Sequence, residues 1–140
     1  MEKWDGEYKV VFENEYFYIF LHSVHIFEDK TVIFFLRFMN KCDFDLRKKT
    51  RSIIENGNPV EFSPRGRYQN YKLIPGKLEA LTVMIDYDRN RDDMVGYKQE
   101  FEMYIDKPRK LLSDVNIDIQ YDVNFGEYEI DVKCHNVTIN

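Results

Sequence analysis

Oxygen-bearing side chains take alternate positions in one short stretch of the chain: Asp86, Asp88, Asn90 and Asp92, with Asp93 directly after them. Carboxylate and amide oxygens are the ligands that a hard cation such as Ca²⁺ prefers, so this pattern indicates a candidate cation site. Arg89 and Arg91 interleave with the acids. The glycine and the closing glutamate of a helix-loop-helix calcium site are absent from the stretch. A solvated acidic loop tip is the alternative interpretation.

A second candidate site is basic and consists of Arg47, Lys48, Lys49 and Arg51. On a β-strand, Arg47, Lys49 and Arg51 project from one side and form a positive row, which could bind phosphate groups or an acidic protein. Basic side chains also protect exposed strands from edge-to-edge aggregation. Both interpretations stay open.

The remaining reactive residue types do not form a recognisable catalytic centre. His22 and His25 lie three positions apart, a spacing that places them on opposite faces of a strand, so they are not expected to chelate a metal together. The six glycines are scattered and form no phosphate-binding loop. Cys42 and Cys134 are expected to be free thiols. The sequence therefore predicts a protein that is not an enzyme and that needs no cofactor, with Ca²⁺ as the one possible exception.

Charge is distributed unevenly along the chain. The net charge of −5 argues against general nucleic-acid binding. Between Lys41 and Lys77, however, nine basic residues stand against four acidic ones, so this segment carries +5 and the rest of the chain −10. A polarised domain of this kind can steer a charged partner towards itself. The chain has no apolar run of membrane-spanning length and no leader-like amino-terminal pattern, so a cytoplasmic location is expected.

The elements that position these residues are predicted to be strands, because apolar residues recur at every second position. Val115–Val123 and Tyr128–Cys134 are the clearest runs, and the short segment 124–127 between them predicts a hairpin. Near His135 the alternation slips, which predicts a bulge there. Alternation or β-rich composition predicts further strands at Glu7–Glu13 (an edge strand), Tyr16–Phe27, Thr31–Met39, Thr50–Glu55, Val60–Phe62, Leu81–Tyr87 and Phe101–Ile105.

About eight or nine short strands, with turn signals between them and no convincing amphipathic helix, are typical of a sandwich or barrel. The sequence shows no repeat, linker or low-complexity tract. We therefore expect residues 1–140 to form a single all-β domain, a two-sheet antiparallel β-sandwich.

Over residues 7–120 the chain resembles immunoglobulin-like sandwich domains of uncharacterised Firmicute proteins. Three motifs carry the resemblance: the strand Thr31–Asn40 with its Asn-Lys-x-Asp ending, the segment Ser52–Val60 with an Asn-Gly turn, and Leu73–Lys77 with a Pro-Gly-Lys turn. The resemblance implies the sandwich fold, whereas the family has largely no assigned activity.

Over residues 48–96 the chain also resembles the middle of a C2 domain. The resemblance lies in Lys49-Thr50, in Asn58–Phe62, and in Leu81–Arg89 followed by Asp93 and Gly96. It implies that Asp86, Asp88 and Asp93 bind Ca²⁺ and that the basic strand with Lys48, Lys49 and Arg51 contacts phosphoinositides. The stretch that usually follows the first calcium loop of that family is absent here.

Three functions follow as expectations. The first is a non-enzymatic interaction module that binds a protein partner through an edge strand or a loop end. The second is a C2-like module that binds an acidic membrane surface with the help of Ca²⁺. The third is an oligomeric protein that sequesters a small molecule, with aromatic side chains stacking on it.

Overall fold

The computed structural model describes residues 3–5, 9–28, 31–61, 71–86, 94–122 and 124–137. These residues form eleven β-strands, of which three are short. The strands are β1 Lys3–Asp5, β2 Lys9–Glu13, β3 Phe17–Ile26, β4 Thr31–Asn40, β5 Leu46–Glu55, β6 Asn58–Pro59, β7 Tyr71–Leu73, β8 Leu78–Asp86, β9 Met94–Ile105, β10 Lys110–Asp122 and β11 Glu127–Asn136.

The strands form two antiparallel sheets that pack face to face, so the predicted all-β sandwich is confirmed. The first sheet has the order β1-β3-β4-β8, and β2 also pairs with β3. The second sheet has the order β11-β10-β9-β5-β6, and β7 also pairs with β5. In the described residues no helix has the length and apolar character needed to cross a membrane.

The core lies between the two sheets and consists of the alternate side chains that face inward. The inner face of β4 shows the pattern well, because Val32, Phe34, Leu36 and Phe38 are all buried while the residues between them are half-buried. Aromatic rings connect the sheets. The rings of Phe38 on β4 and Phe101 on β9 meet edge to face, with centroids 5.7 Å apart.

The bounds predicted for one strand are wrong. Val60–Phe62 was expected to be a strand, but the strand of this hairpin is Asn58–Pro59, while Val60 and Glu61 lie outside it and Phe62 lies outside the described residues. The turn accounts for the shift. Asn56 and Gly57 both have positive φ, 49° and 79°, so the chain reverses within two residues and pairing resumes at Asn58.

The bulge predicted near His135 is also absent from the β10–β11 ladder. Its register runs without a break from Asp122 opposite Glu127 to Ser113 opposite Asn136. The irregularity lies on the other side of β10, where the pairing with β9 shifts between Leu111 and Ser113. The last strand, β11, is consequently regular over its full ten residues.

Candidate protein-binding edge

The basic residues singled out from the sequence lie on β5, and strand alternation divides them between two faces. Arg47, Lys49 and Arg51 lie on the outer face of the second sheet, as predicted for a strand. Lys48 points the other way, into the core, and is only 4% exposed. The four residues therefore do not form one anion-binding surface.

Lys48 ends among aromatic rings. Its Nζ lies 4.8 Å from the ring centroid of Phe101 and 5.9 Å from that of Phe38, and 3.4 Å from Oγ1 of Thr50. Burial disfavours the charged ammonium and lowers the pKa of Lys48 to about 7. The C2 resemblance implied that Lys48 contacts lipid headgroups, but its position between the sheets keeps it away from any membrane surface. The alternation that pointed Arg47, Lys49 and Arg51 outward required this inward orientation.

The outward basic residues lie beside acids of the same sheet. Nε of Arg47 donates to Oδ1 of Asp106 at 2.6 Å, and this hydrogen bond lowers the pKa of Asp106. A guanidinium nitrogen of Arg51 lies 3.3 Å from Asp114, and Lys49 stands opposite Glu102 in the ladder. The positive row is thus largely matched by carboxylates within the chain.

The candidate Ca²⁺ ligands are not brought together by anything that the structure describes. Asp86 is the last residue of β8, and nothing is described of its side chain, while Asp88 and Asp93 lie outside the described residues. Within the described ranges, no group of three or more His, Cys, Asp or Glu side chains is arranged to hold a metal ion.

The pairing of β3 with β4 shifts between Leu21 and Ser23, so a bulge lies at His22. The bulge interrupts the regular alternation on which the expected opposite-face placement of His22 and His25 depended, so that placement is not supported.

The thiols of Cys42 and Cys134 are both free and half-buried. Nδ2 of Asn14 lies 3.6 Å from the sulfur of Cys134, and the sulfur of Cys42 lies 3.6 Å from the carbonyl oxygen of Tyr16. Burial raises the pKa of Cys42, which makes its thiol less reactive.

A shallow depression of about 190 Å³ lies on the second sheet, over β9, β10 and β11. Its lining includes Lys98, Glu100, Asn116, Asp118, Asp131 and Lys133. Two ion pairs lie within it, Lys98–Asp118 at 3.9 Å and Lys133–Asp131 at 3.5 Å. The depression is open and highly charged, which suits contact with another charged surface better than enclosure of a small molecule.

The depression borders β11, which is the edge strand of this sheet. β11 pairs with β10 through ten consecutive residues, and no strand in the described part of the chain pairs with its other side. Natural sheets often protect their edges with proline or with a bulge, and β11 contains neither. β11 therefore presents a long and regular row of backbone groups.

The direction of those backbone groups follows from one hydrogen bond. The N–H of Val137 donates to the carbonyl of Leu112 at 3.2 Å, which continues the β10–β11 register by one pair. Hydrogen-bonded and non-hydrogen-bonded pairs alternate in an antiparallel ladder. Odd-numbered residues of β11 thus direct their N–H and C=O groups towards β10. Even-numbered residues direct theirs towards the open edge: Tyr128, Ile130, Val132, Cys134 and Asn136.

The side chains of β11 alternate in the same way. Tyr128, Ile130, Val132 and Cys134 pack against the core but are only half-buried, because the sheet ends beside them. The residues between them point outward and are exposed: Glu127, Glu129, Asp131, Lys133 and His135. The open edge thus combines backbone donors and acceptors, a partly covered apolar row and a row of charges.

Sequence reasoning recognised β11 as a strand, but it did not identify β11 as the exposed edge. The alternation of Tyr128–Cys134 shows which side chains point inward, whereas the identity of an edge depends on the order of strands in the sheet. The strand order β11-β10-β9-β5 cannot be inferred from any local sequence pattern.

No family model, no curated protein and no solved structure matches the chain. The immunoglobulin-like and C2-like resemblances therefore both stay predictions, and the sandwich fold is supported by the structure itself.

Proposed function

We propose that the chain is a non-enzymatic protein-binding module, and that β11 receives an extended segment of its partner as an additional strand. The observation that carries this proposal is the uninterrupted ten-residue ladder of β11 with an open second side in the described structure. In strand addition, backbone hydrogen bonds supply affinity and alternate side chains supply specificity.

The backbone contribution comes from four residues of β11 whose N–H and C=O groups face the open edge: Ile130, Val132, Cys134 and Asn136. An added strand forms hydrogen bonds with these groups, and each bond makes a net contribution of about 1 kcal/mol to the binding free energy. The added strand also covers the half-buried row Tyr128, Ile130, Val132 and Cys134. Burial of this apolar surface contributes about 25 cal/mol per Å².

The charges of β11 define the kind of segment that fits. Glu127, Glu129 and Asp131 point outward and carry three negative charges, followed by Lys133. A segment that alternates apolar with basic residues places its apolar side chains over the core and its basic side chains beside these carboxylates.

A labelled ten-residue peptide that alternates valine with lysine is a direct probe for this mode of binding. We expect its fluorescence anisotropy to rise on addition of the protein, and we expect a block-sequence peptide of the same composition to bind far more weakly. Val132→Pro removes one N–H from the open edge and leaves the β10 ladder intact, so it should weaken peptide binding about tenfold or more. Val132→Ala keeps that N–H and serves as the control. Equal binding by the Val132→Pro variant and the wild-type protein would contradict the proposal.

The C2-like alternative receives less support. It requires Lys48 at the membrane, whereas Lys48 lies in the core, and Arg47 and Arg51 are engaged by Asp106 and Asp114.

A further inference from the structure

We infer that the strand added to β11 is β11 of a second copy of this chain, antiparallel and related by a two-fold axis at Val132. This inference rests on the proposed function, because it names the partner for the same edge. The valine–lysine peptide then competes with the second copy for β11. Two copies joined in this way form one continuous sheet across the dimer.

The register follows from symmetry and backbone direction. In a two-fold antiparallel pair the numbers of opposed residues have a constant sum, and the residue on the axis faces its own copy. If the axis passes through an even-numbered residue such as Val132, that residue and its copy form a hydrogen-bonded pair, since the N–H and C=O of both face the open edge. The position of the axis can therefore be inferred by comparing which register places opposite charges across the two strands.

Among the axes near the centre of the strand, only the one at Val132 opposes unlike charges on both sides of the axis without a like-charged pair. It places Asp131 opposite Lys133 of the second copy, twice by symmetry, and it places Glu129 opposite the imidazole of His135 and not opposite another carboxylate. An axis at Asp131 places that carboxylate against itself, and an axis at Lys133 places that ammonium against itself. An axis at Ile130 opposes Glu129 and Asp131. Like charges directly opposite one another destabilise a strand pair.

The central charged side chains are exposed enough to reach across the axis. The side chains of Asp131 and Lys133 are 54% and 67% exposed. Within one chain, Asp131 also stands directly opposite Asp118 of β10, a like-charged pair. Lys133 of a second copy would supply a cation beside this pair, in addition to the contact that Lys133 already makes with Asp131 of its own chain at 3.5 Å.

The apolar side of the edge is self-complementary as well. With the axis at Val132, this side chain meets its own copy, and Ile130 lies opposite Cys134 of the second copy. All three are half-buried where the sheet ends. Dimer formation would continue the core across the two-fold axis and cover this row.

Sedimentation equilibrium and light scattering test the inference. We expect the wild-type chain to have twice the mass of one 17.0 kDa chain at micromolar concentration. Asp131→Lys and Lys133→Asp each replace two opposite-charge pairs by two like-charge pairs, so each variant alone should dissociate at least about tenfold more readily. An equimolar mixture of the two variants should form a heterodimer, because both opposed pairs of positions 131 and 133 are then again of unlike charge. The double variant Asp131→Lys/Lys133→Asp should also regain the wild-type mass.

Two exposed residues outside β11 supply matched charge controls: Glu61, just after β6 at the opposite end of the second sheet, and Lys107, in the turn before β10. Glu61→Lys and Lys107→Asp make the same changes in net charge and should leave the mass unchanged. Circular dichroism and thermal unfolding show that each variant is folded.

The other outcomes separate the two proposals. A monomer at all concentrations that still binds the valine–lysine peptide, with loss of binding in Val132→Pro, overturns the dimer and leaves the proposed function standing. A dimer that is indifferent to both charge reversals and to Val132→Pro uses another surface and overturns the inferred partner. If such a protein also fails to bind the peptide, the proposed function is wrong too.

Discussion

Lys48 shows at the residue scale how a charged side chain is accommodated in an apolar core. Its ammonium lies over the faces of Phe101 and Phe38 and near the hydroxyl of Thr50, and no described carboxylate forms an ion pair with it. Cation–π contacts of this kind offset only part of the free energy of desolvation. Lys48 is therefore expected to destabilise the fold whenever it carries a proton.

The pKa of Lys48 gives this expectation a pH dependence with a definite sign. The folded pKa is about 7 and the ordinary value is 10.5, so between these values the unfolded chain binds more protons than the folded one. The free energy of unfolding consequently rises with pH across this window, by up to about 1.4 kcal/mol per pH unit, and is insensitive to Lys48 well below pH 7.

We expect Lys48→Met to raise the free energy of unfolding at pH 7 by about 1–4 kcal/mol, because an apolar side chain of similar length replaces a buried charge. Urea unfolding between pH 7 and 8 should show a rising stability for the wild-type chain, and the difference from Lys48→Met should shrink as pH increases. This range lies below the ordinary pKa values of cysteine and tyrosine. Lys49→Met, on the exposed face of the same strand, is the control. A difference that does not change with pH would show that Lys48 keeps its proton in the core and that burial does not lower its pKa.

At the scale of an element, the β5–β6 hairpin depends on its turn. Asn56 and Gly57 both have positive φ, which asparagine and glycine tolerate better than other residues. The side chain of Asn56 also accepts a hydrogen bond from the N–H of Gly96 at 2.9 Å, so the turn is held against β9. The Asn-Gly pair was recognisable in the sequence as a turn, whereas the contact with Gly96, forty residues away, was not.

We expect Gly57→Ala to lower the free energy of unfolding by about 1–2 kcal/mol, since a Cβ makes the left-handed conformation unfavourable. An added Cβ would meet no atom within 4 Å, so the backbone conformation alone accounts for the effect. Asn58→Ala, at an exposed neighbouring position, is the control in thermal unfolding. An equal effect of both variants would argue against a strained turn.

At the scale of the whole molecule, contacts between the two sheets hold the sandwich together. Phe38 from the first sheet and Phe101 from the second meet edge to face, and both side chains are almost fully buried. Lys48 approaches the same two rings. The centre of the sandwich therefore contains an aromatic contact shared by both sheets, with the ammonium of Lys48 beside it.

A double-mutant cycle measures this contact. We expect Phe38→Leu and Phe101→Leu each to cost about 1–3 kcal/mol, and the double variant to cost less than the sum by about 0.5–1.5 kcal/mol, because the edge-to-face interaction is lost only once. Chemical denaturation of the four proteins supplies the four free energies. Strict additivity would indicate that the rings contribute by burial alone. The pair Phe38→Leu and Tyr128→Leu, whose rings lie on different parts of the core, is a useful reference cycle.

The sequence by itself determined the strands, the turns and the inward direction of most side chains, because these depend on residue type and on spacing along a few neighbouring positions. Period-two alternation in Tyr128–Cys134, for example, was sufficient to orient the side chains of that segment of β11. It also implied that Lys48 points away from its basic neighbours, although the depth of its burial depends on Phe38 of the other sheet.

Tertiary structure alone decided which strands are neighbours and which one is left at an edge. Pairing between strands far apart in the chain, such as β5 with β9, follows from the closure of a common core and not from local preference. Bulges also depend on tertiary structure, because only the assembled ladders determine where an extra residue is accommodated. The β10–β11 ladder has no bulge at His135, whereas the β9–β10 pairing has one at Leu112. The open side of β11, and with it the proposed binding edge, is a property of sheet order.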